Sequence, residues 1–173
     1  EIAKDILKKK KNIFNLRVFG IFGKYEDYRR RLISNNICKL LRGENIVLNK
    51  NGCFDYMYIN DFSMIVEKFI NEDPRYSTYN TCTGEVIEFL TIAKIINEID
   101  GSEKPIEIKQ EGINPEYSGN NLRFTEEFGP MNLTDPKIAI KELYNWYKLE
   151  SNLIFDDKLF DSWIKNWLNN KLR

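Results

Sequence analysis

The sequence predicts an α/β fold built on a parallel sheet. Three observations point there. A near-continuous apolar run over residues 13–19 is ended by Gly20 and Gly23, strand-like and helix-like segments then alternate through residue 99, and the composition is too apolar for disorder. Of 173 residues 42% are hydrophobic and 13% aromatic, and no apolar run approaches the ~18 residues needed to cross a bilayer. A chain of this length buries roughly 70% of its unfolded surface on folding, which suits one soluble domain.

Charge and cysteine content narrow the function classes. The 26 basic and 26 acidic side chains cancel, so no global field points to nucleic acid. Cys38, Cys53 and Cys82 are odd in number and lack a CxxC spacing, and they read as free thiols of a reducing, cytoplasmic compartment. The sequence contains no histidine, which argues against a Ser-His or Cys-His nucleophile pair and a His-ligated zinc. Chemistry here would rest on Tyr, Lys, Asp, Glu or a cofactor.

Residues 1–11 place Ile2, Ile6 and Leu7 on one side of a helix and lysines in its last turn, where they complement the helix dipole. The basic runs at 8–11 and 29–31 could grip phosphates, or simply be solvated. In the strand at 13–19 only Asn15 and Arg17 interrupt the apolar residues, which predicts cover on both faces. A glycine-rich turn at the carboxyl end of such a strand is where open α/β sheets hold ligands, although a solvated loop fits the same residues. Leu32, Ile33, Ile37, Leu40 and Leu41 predict a helix over 31–41 that Gly43 stops. Residues 46–48 and 54–59 read as two short strands around a hairpin-like turn at 49–52.

Asn60 or Asp61 is expected to cap a helix running to Asn71. Strand formers over 76–83, closed by Gly84, precede an amphipathic helix over 89–99. Residues 105–108 suggest a further short strand, and 112–135 a loop with one helical turn near 123–128. Asp135 and Pro136 start a helix whose inward residues are Ile140, Leu143, Tyr144 and Tyr147. A last helix over 157–171, striped by Leu159, Phe160 and Trp163, reads as core.

Two stretches together, LRVFGIFG at 16–23 and FDYMYINDF at 54–62, resemble the second half of the extended short-chain dehydrogenase/reductase family, the nucleotide-sugar epimerases, dehydratases and ketoreductases. EYSGNNLRFTEE at 116–127 is similar to the family's late loop, which closes over the nucleotide diphosphate, and AIKELYNWY at 139–147 to the helix after it. The resemblance implies the C-terminal part of a Rossmann-like parallel sheet plus a small mixed α/β substrate-binding domain. In that scheme 1–173 is one partial domain, with Rossmann-like elements at 1–20 and 60–100 and a substrate-binding region at 21–59 and 101–173. The family's glycine-rich dinucleotide fingerprint and Tyr-x-x-x-Lys pair have no counterpart here, and the family order would put that pair just ahead of Glu1.

The expectation is therefore a C-terminal half, inactive alone, whose strands at 13–19 and 76–83 expose edges. The missing N-terminal half or a second chain would cover them, with a homodimer a further option, and neither a membrane nor nucleic acid as partner. The implied function is the substrate-binding half of an NAD(P)-dependent nucleoside-diphosphate-sugar epimerase, dehydratase or reductase. Its chemistry is hydride exchange between the nicotinamide of NAD or NADP and a sugar carbon, with a tyrosine and a lysine outside this sequence. The alternative is a non-catalytic α/β binding module.

For the site, the resemblance implies that Phe19, Gly20 and Phe22 lie against the nicotinamide. Arg30, Arg31 and Arg123 would supply the cations a buried diphosphate requires, Asn35 would bond the sugar or base, and Tyr25 and Tyr28 would stack on the base or line the sugar pocket. Each has a plainer reading as a surface arginine, a helical asparagine or a loop-packing tyrosine. No catalytic residue or metal ligand is assigned within the chain. Two positions depart from the family: its strand-end asparagine falls on Gly20, and the arginine that begins its aromatic strand falls on Phe54.

Overall fold

The computed structural model describes residues 13–150 together with Ser162, so the helices expected over 1–11 and 157–171 fall outside the described residues apart from that one position. The element order is β1 (Asn15–Val18), β2 (Gly20–Phe22), α1 (Leu32–Leu41), β3 (Ile46–Asn51), β4 (Cys53–Phe54), β5 (Tyr56–Tyr58), α2 (Ile59–Asn71), β6 (Thr78–Thr81), β7 (Ile87–Glu88), α3 (Phe89–Asp100), β8 (Ile106–Ile113), α4 (Leu122–Phe128) and α5 (Pro136–Leu149). β1 pairs with β6, β2 with β5 and β3 with β8, all parallel, while β4 and β7 are antiparallel. The α/β class with parallel pairing is as expected, and the register Asn15↔Thr78 joins the two strand regions at 13–19 and 76–83. No helix of the described residues is long and apolar enough to cross a membrane.

Three local expectations need correction. The run 13–19 is not one strand: it breaks at Phe19 into β1 and β2, which take different partners. None of its residues is fully buried and Val18 is 40% exposed, so cover on both faces is not found among the described residues.

The hairpin at 49–52 does not form. β3 continues to Asn51 and lies beside β8, β4 pairs with β7, and β5 pairs with β2. The reason is non-local. Asn51 is buried, its amide donates to Glu88 Oε1 at 2.6 Å, and its side-chain oxygen accepts from Leu90 N at 3.2 Å. Those partners hold the chain extended where turn chemistry alone would fold it back.

Asp61 is not a cap. The N-cap of α2 is Tyr58, with no side-chain hydrogen bond, and Asp61 lies buried in the first turn. Its carboxylate instead accepts from Thr134 N at 3.1 Å and Thr134 Oγ1 at 2.7 Å. Asp135 is a true cap for α5, accepting from Lys137 N at 2.8 Å and Ile138 N at 3.3 Å.

Two apolar cores result. The larger gathers Ile37 of α1, Ile92 and Ile96 of α3, and Ile140, Leu143 and Tyr147 of α5 over Ile46 and Leu48 of β3. α3, grouped above with residues 60–100, thus buries its face among elements from 21–59 and 101–150. The smaller joins Met57, Ile65, Phe69, Tyr79 and Phe124, with Phe14 and Leu16 packed against them.

Candidate functional site

A close backbone approach at the start of β2 shapes the site. Gly20 sits opposite Tyr56, and a Cβ placed on it would overlap the Asp55 carbonyl oxygen, which is backbone and cannot yield. The position that corresponds to the family's asparagine therefore has no room for a side chain. The chain closes tightly onto β5 instead, and the cavity opens beside it.

That cavity has a volume of about 510 Å3 and is lined by Phe19, Gly20 and Phe22 on one side and by Arg30 and Arg31 on another. Phe54, Tyr56, Phe89 and Tyr117 complete an aromatic wall, in which the Phe54 ring is 4.8 Å from Phe89 and 5.2 Å from Tyr117. Where the resemblance expects an arginine, Phe54 supplies a ring. Arg31 is the N-cap residue of α1, and the Arg30 side chain is 86% exposed with its Nε 3.8 Å from Asp27.

Other residues named from the sequence lie elsewhere. Tyr28 is 1% exposed in the larger core, edge-on to Tyr147, with the Arg42 guanidinium 5.7 Å above its ring. Tyr25 is exposed, has a left-handed φ of 73°, and packs its ring 5.1 Å from Trp146. Asn35, on α1, donates to the Arg29 carbonyl at 3.5 Å. Arg123 donates to the Thr78 carbonyl at 2.8 Å and lies 4.8 Å over the Tyr76 ring. It lines a separate polar cavity of about 220 Å3 with Arg17, Asn80 and Asn120. The cavity with the aromatic wall thus holds Phe19, Gly20, Phe22, Arg30 and Arg31, and not Tyr25, Tyr28, Asn35 or Arg123.

Sequence reasoning missed Glu26, which also lines this cavity. Its carboxyl accepts from the buried Ser34 hydroxyl, and burial pushes it up to about 7 against the opposing pull of Ser34, Arg31 and the Gly23 backbone. Glu26 stands three residues after Gly23 in a loop with two tyrosines, and that context was the available signal. Tyr56 is raised to about 12, first by burial and then by the Glu26 charge, so at neutral pH its phenol remains a hydrogen-bond donor. Asp55, fully buried beneath the wall, accepts from Thr83 N at 2.9 Å, Thr83 Oγ1 at 2.8 Å and Gly84 N at 2.9 Å. It ties the loop after β6 to β5.

Phe22 and Tyr56 also form the wall of a second cavity of about 340 Å3, lined further by Tyr58, Ile87, Leu133 and Pro136. Two arginines lining an aromatic-walled space can hold an anion and stack a flat or partly apolar ring beside it.

No protein-family model and no curated protein matches the sequence. The fold, by contrast, is similar to that of solved nucleotide-sugar epimerases and dehydratases. The dTDP-glucose 4,6-dehydratase from Bacillus anthracis, solved in complex with NAD, is similar at a TM-score of 0.73 and 20% identity over 91% of this chain and 51% of that one. The UDP-N-acetylglucosamine 4-epimerase from Bacillus cereus is similar at 0.68 and 18% identity, over 82% of this chain and 48% of that one. The UDP-N-acetylglucosamine 4-epimerase from Methanobrevibacter ruminantium, in complex with UDP-N-acetylmuramic acid, gives 0.68 and 17% over 78% and 46%. The chain spans about half the length of these solved structures. At such identities the likeness is one of fold, and at that level it agrees with the resemblance carried by residues 16–23 and 54–62.

Proposed function

We propose that this chain is the substrate-binding portion of an NAD(P)-dependent enzyme of the extended short-chain dehydrogenase/reductase family that acts on a nucleoside-diphosphate sugar. The observation that supports it is the convergence of Phe19, Gly20, Phe22, Arg30 and Arg31 on one cavity, in a fold shared with enzymes solved with NAD and with a UDP-sugar. In this reading Arg30 and Arg31, with the first amides of α1 behind them, hold the diphosphate. The wall of Phe54, Tyr56 and Tyr117 packs against the ring portion and excludes water from it. Tyr56 donates a hydrogen bond, because burial keeps its phenol protonated.

The nicotinamide end of the cofactor fits the aromatic side of the cavity at Phe19 and Phe22, whereas the sequence holds no G-x-G-x-x-G turn for the pyrophosphate. When bound, the cofactor supplies hydride transfer to or from a sugar carbon. The chain's own residues bind and orient the sugar nucleotide, and the chain alone has no turnover.

Titration of the chain with UDP-N-acetylglucosamine by calorimetry tests the reading. The Arg30→Ala, Arg31→Ala double variant is expected to bind ~10-fold or more weakly, the scale of a lost charge-assisted hydrogen bond. Arg123→Ala, in the separate cavity, should bind as the wild type does. Uridine binding as tightly as the nucleotide sugar, or a double variant with unchanged affinity, would overturn it.

A further inference from the structure

Glu26 is the acidic side chain among the residues lining the larger cavity, and it stands in the same wall as the two arginines. Its carboxyl is anchored by the Ser34 hydroxyl and the Gly23 backbone, and Ser34 is itself fully buried in α1. The titratable or charged groups that face it come from several elements: Arg31 from the turn into α1, Cys38 from α1, Tyr56 from β5 and Tyr147 from α5. Burial holds the Cys38 thiol and Tyr56 phenol up to about 12 and the Tyr147 phenol far above its usual range. Of these neighbours, therefore, Arg31 alone carries charge near neutrality.

This leaves Glu26 balanced between the pull of Arg31, with Arg30 lining the same cavity, and a largely desolvated position. A diphosphate seated on Arg31 competes for that cation and brings two negative charges into the same walled space. Both changes disfavour the carboxylate.

We propose that the cavity takes up a proton on Glu26 when it binds an anionic, diphosphate-bearing ligand, so that Glu26 sets the upper pH limit of binding. The inference deepens the reading given above and rests on it. The proton comes from solvent, the carboxylate becomes a neutral acid, and no other bond changes. Affinity then falls as pH rises through the range where free Glu26 ionises, which burial places near 7. A nucleoside without phosphates has no such dependence.

Calorimetry of the full chain with UDP-N-acetylglucosamine, in buffers of different ionisation heat and from about pH 6 to 8.5, tests this, because both phosphates of that probe stay ionised throughout. The wild type should take up part of a proton on binding and lose up to ~10-fold in affinity per pH unit above neutrality. Glu26→Gln should bind at least as tightly as the wild type does at low pH, with no slope. Ser34→Ala removes a hydrogen bond that favours the carboxylate, so it should move the fall in affinity to higher pH, a displacement that a merely structural role would not produce. An unchanged slope in Glu26→Gln, or nucleotide binding without proton uptake, overturns the inference and leaves the proposed function standing. Sulfate serves as a second probe. Sulfate binding with proton uptake, where the nucleotide sugar fails to bind, overturns the proposed function and upholds the coupling, and failure of both anions to bind overturns the two together.

Discussion

The larger core carries an aliphatic centre beside its rings where the smaller one is mostly aromatic, and the two are closed in different ways. Ile37, Ile92, Ile96 and Leu143 are each 0% exposed, held between three helices and β3. The smaller core relies on rings: Phe69 and Tyr79 lie 4.9 Å apart, as do Phe124 and Phe128. Its strand β1 leaves Val18 40% exposed, and Tyr76, just ahead of β6, is 43% exposed. The larger core is covered by three helices, whereas the smaller one has an exposed edge at β1 and is expected to open from there. The cavity with Glu26 borders the better-closed region, which is where a positioned carboxyl and two arginines can be held in place.

Substitutions can break or sharpen that contrast. The largest effect is expected of Phe124→Ala, about 3–5 kcal/mol by urea denaturation, with hydrogen exchange rising in β6 while α1 and α3 stay protected. Leu143→Ala, at about 2–5 kcal/mol, should instead raise exchange in both regions. If both variants open both regions alike, the two cores are one cooperative unit. Asp55→Ala cuts the tie between β5 and the loop after β6, leaving the Thr83 and Gly84 amides without their acceptor, and should cost about 1–3 kcal/mol in a thermal melt.

Next comes pH. Because burial raises Glu26 from 4.5 to about 7, the folded chain binds more protons than the unfolded chain between those values. The Glu26 contribution is therefore full below about pH 4.5 and is lost as pH rises to about 7, a change on the order of 3 kcal/mol that Glu26→Gln should abolish in urea titrations across that window. The smallest effect is expected of Lys137→Ala. Its 2.6 Å ion pair with Glu98 is more than half exposed, and its removal should change stability by less than ~0.5 kcal/mol.

Much of the fold could be read ahead of the structure, and the reason is local in each case. α1 and α5 announce themselves by apolar spacing and by their ends: Gly43, with φ of 81°, follows α1, and Asp135 caps α5 with two amide hydrogen bonds. Alternation of strand and helix carried the parallel pairing of β1 with β6. At the site, Phe19, Gly20, Phe22, Arg30 and Arg31 follow closely along one stretch of chain, so a strand end and a helix start bring them together with little help from distant residues.

What escaped were features that need a partner far along the chain. Asn51 avoids a turn because Glu88 and Leu90 claim its side chain. Tyr28 is drawn into the core by Tyr147, Arg123 is turned toward Tyr76, and Asp61 is taken by Thr134. Glu26 is pushed up to about 7 by burial, which a linear pattern of charges does not reveal. Periodicity and capping are written in neighbouring residues, so the sequence by itself determined the elements and the class of fold. Burial, strand partners and the distance between charges arise only when remote segments meet, so tertiary structure decided the wall of Phe54, Tyr56, Phe89 and Tyr117 and the environment that raises Glu26.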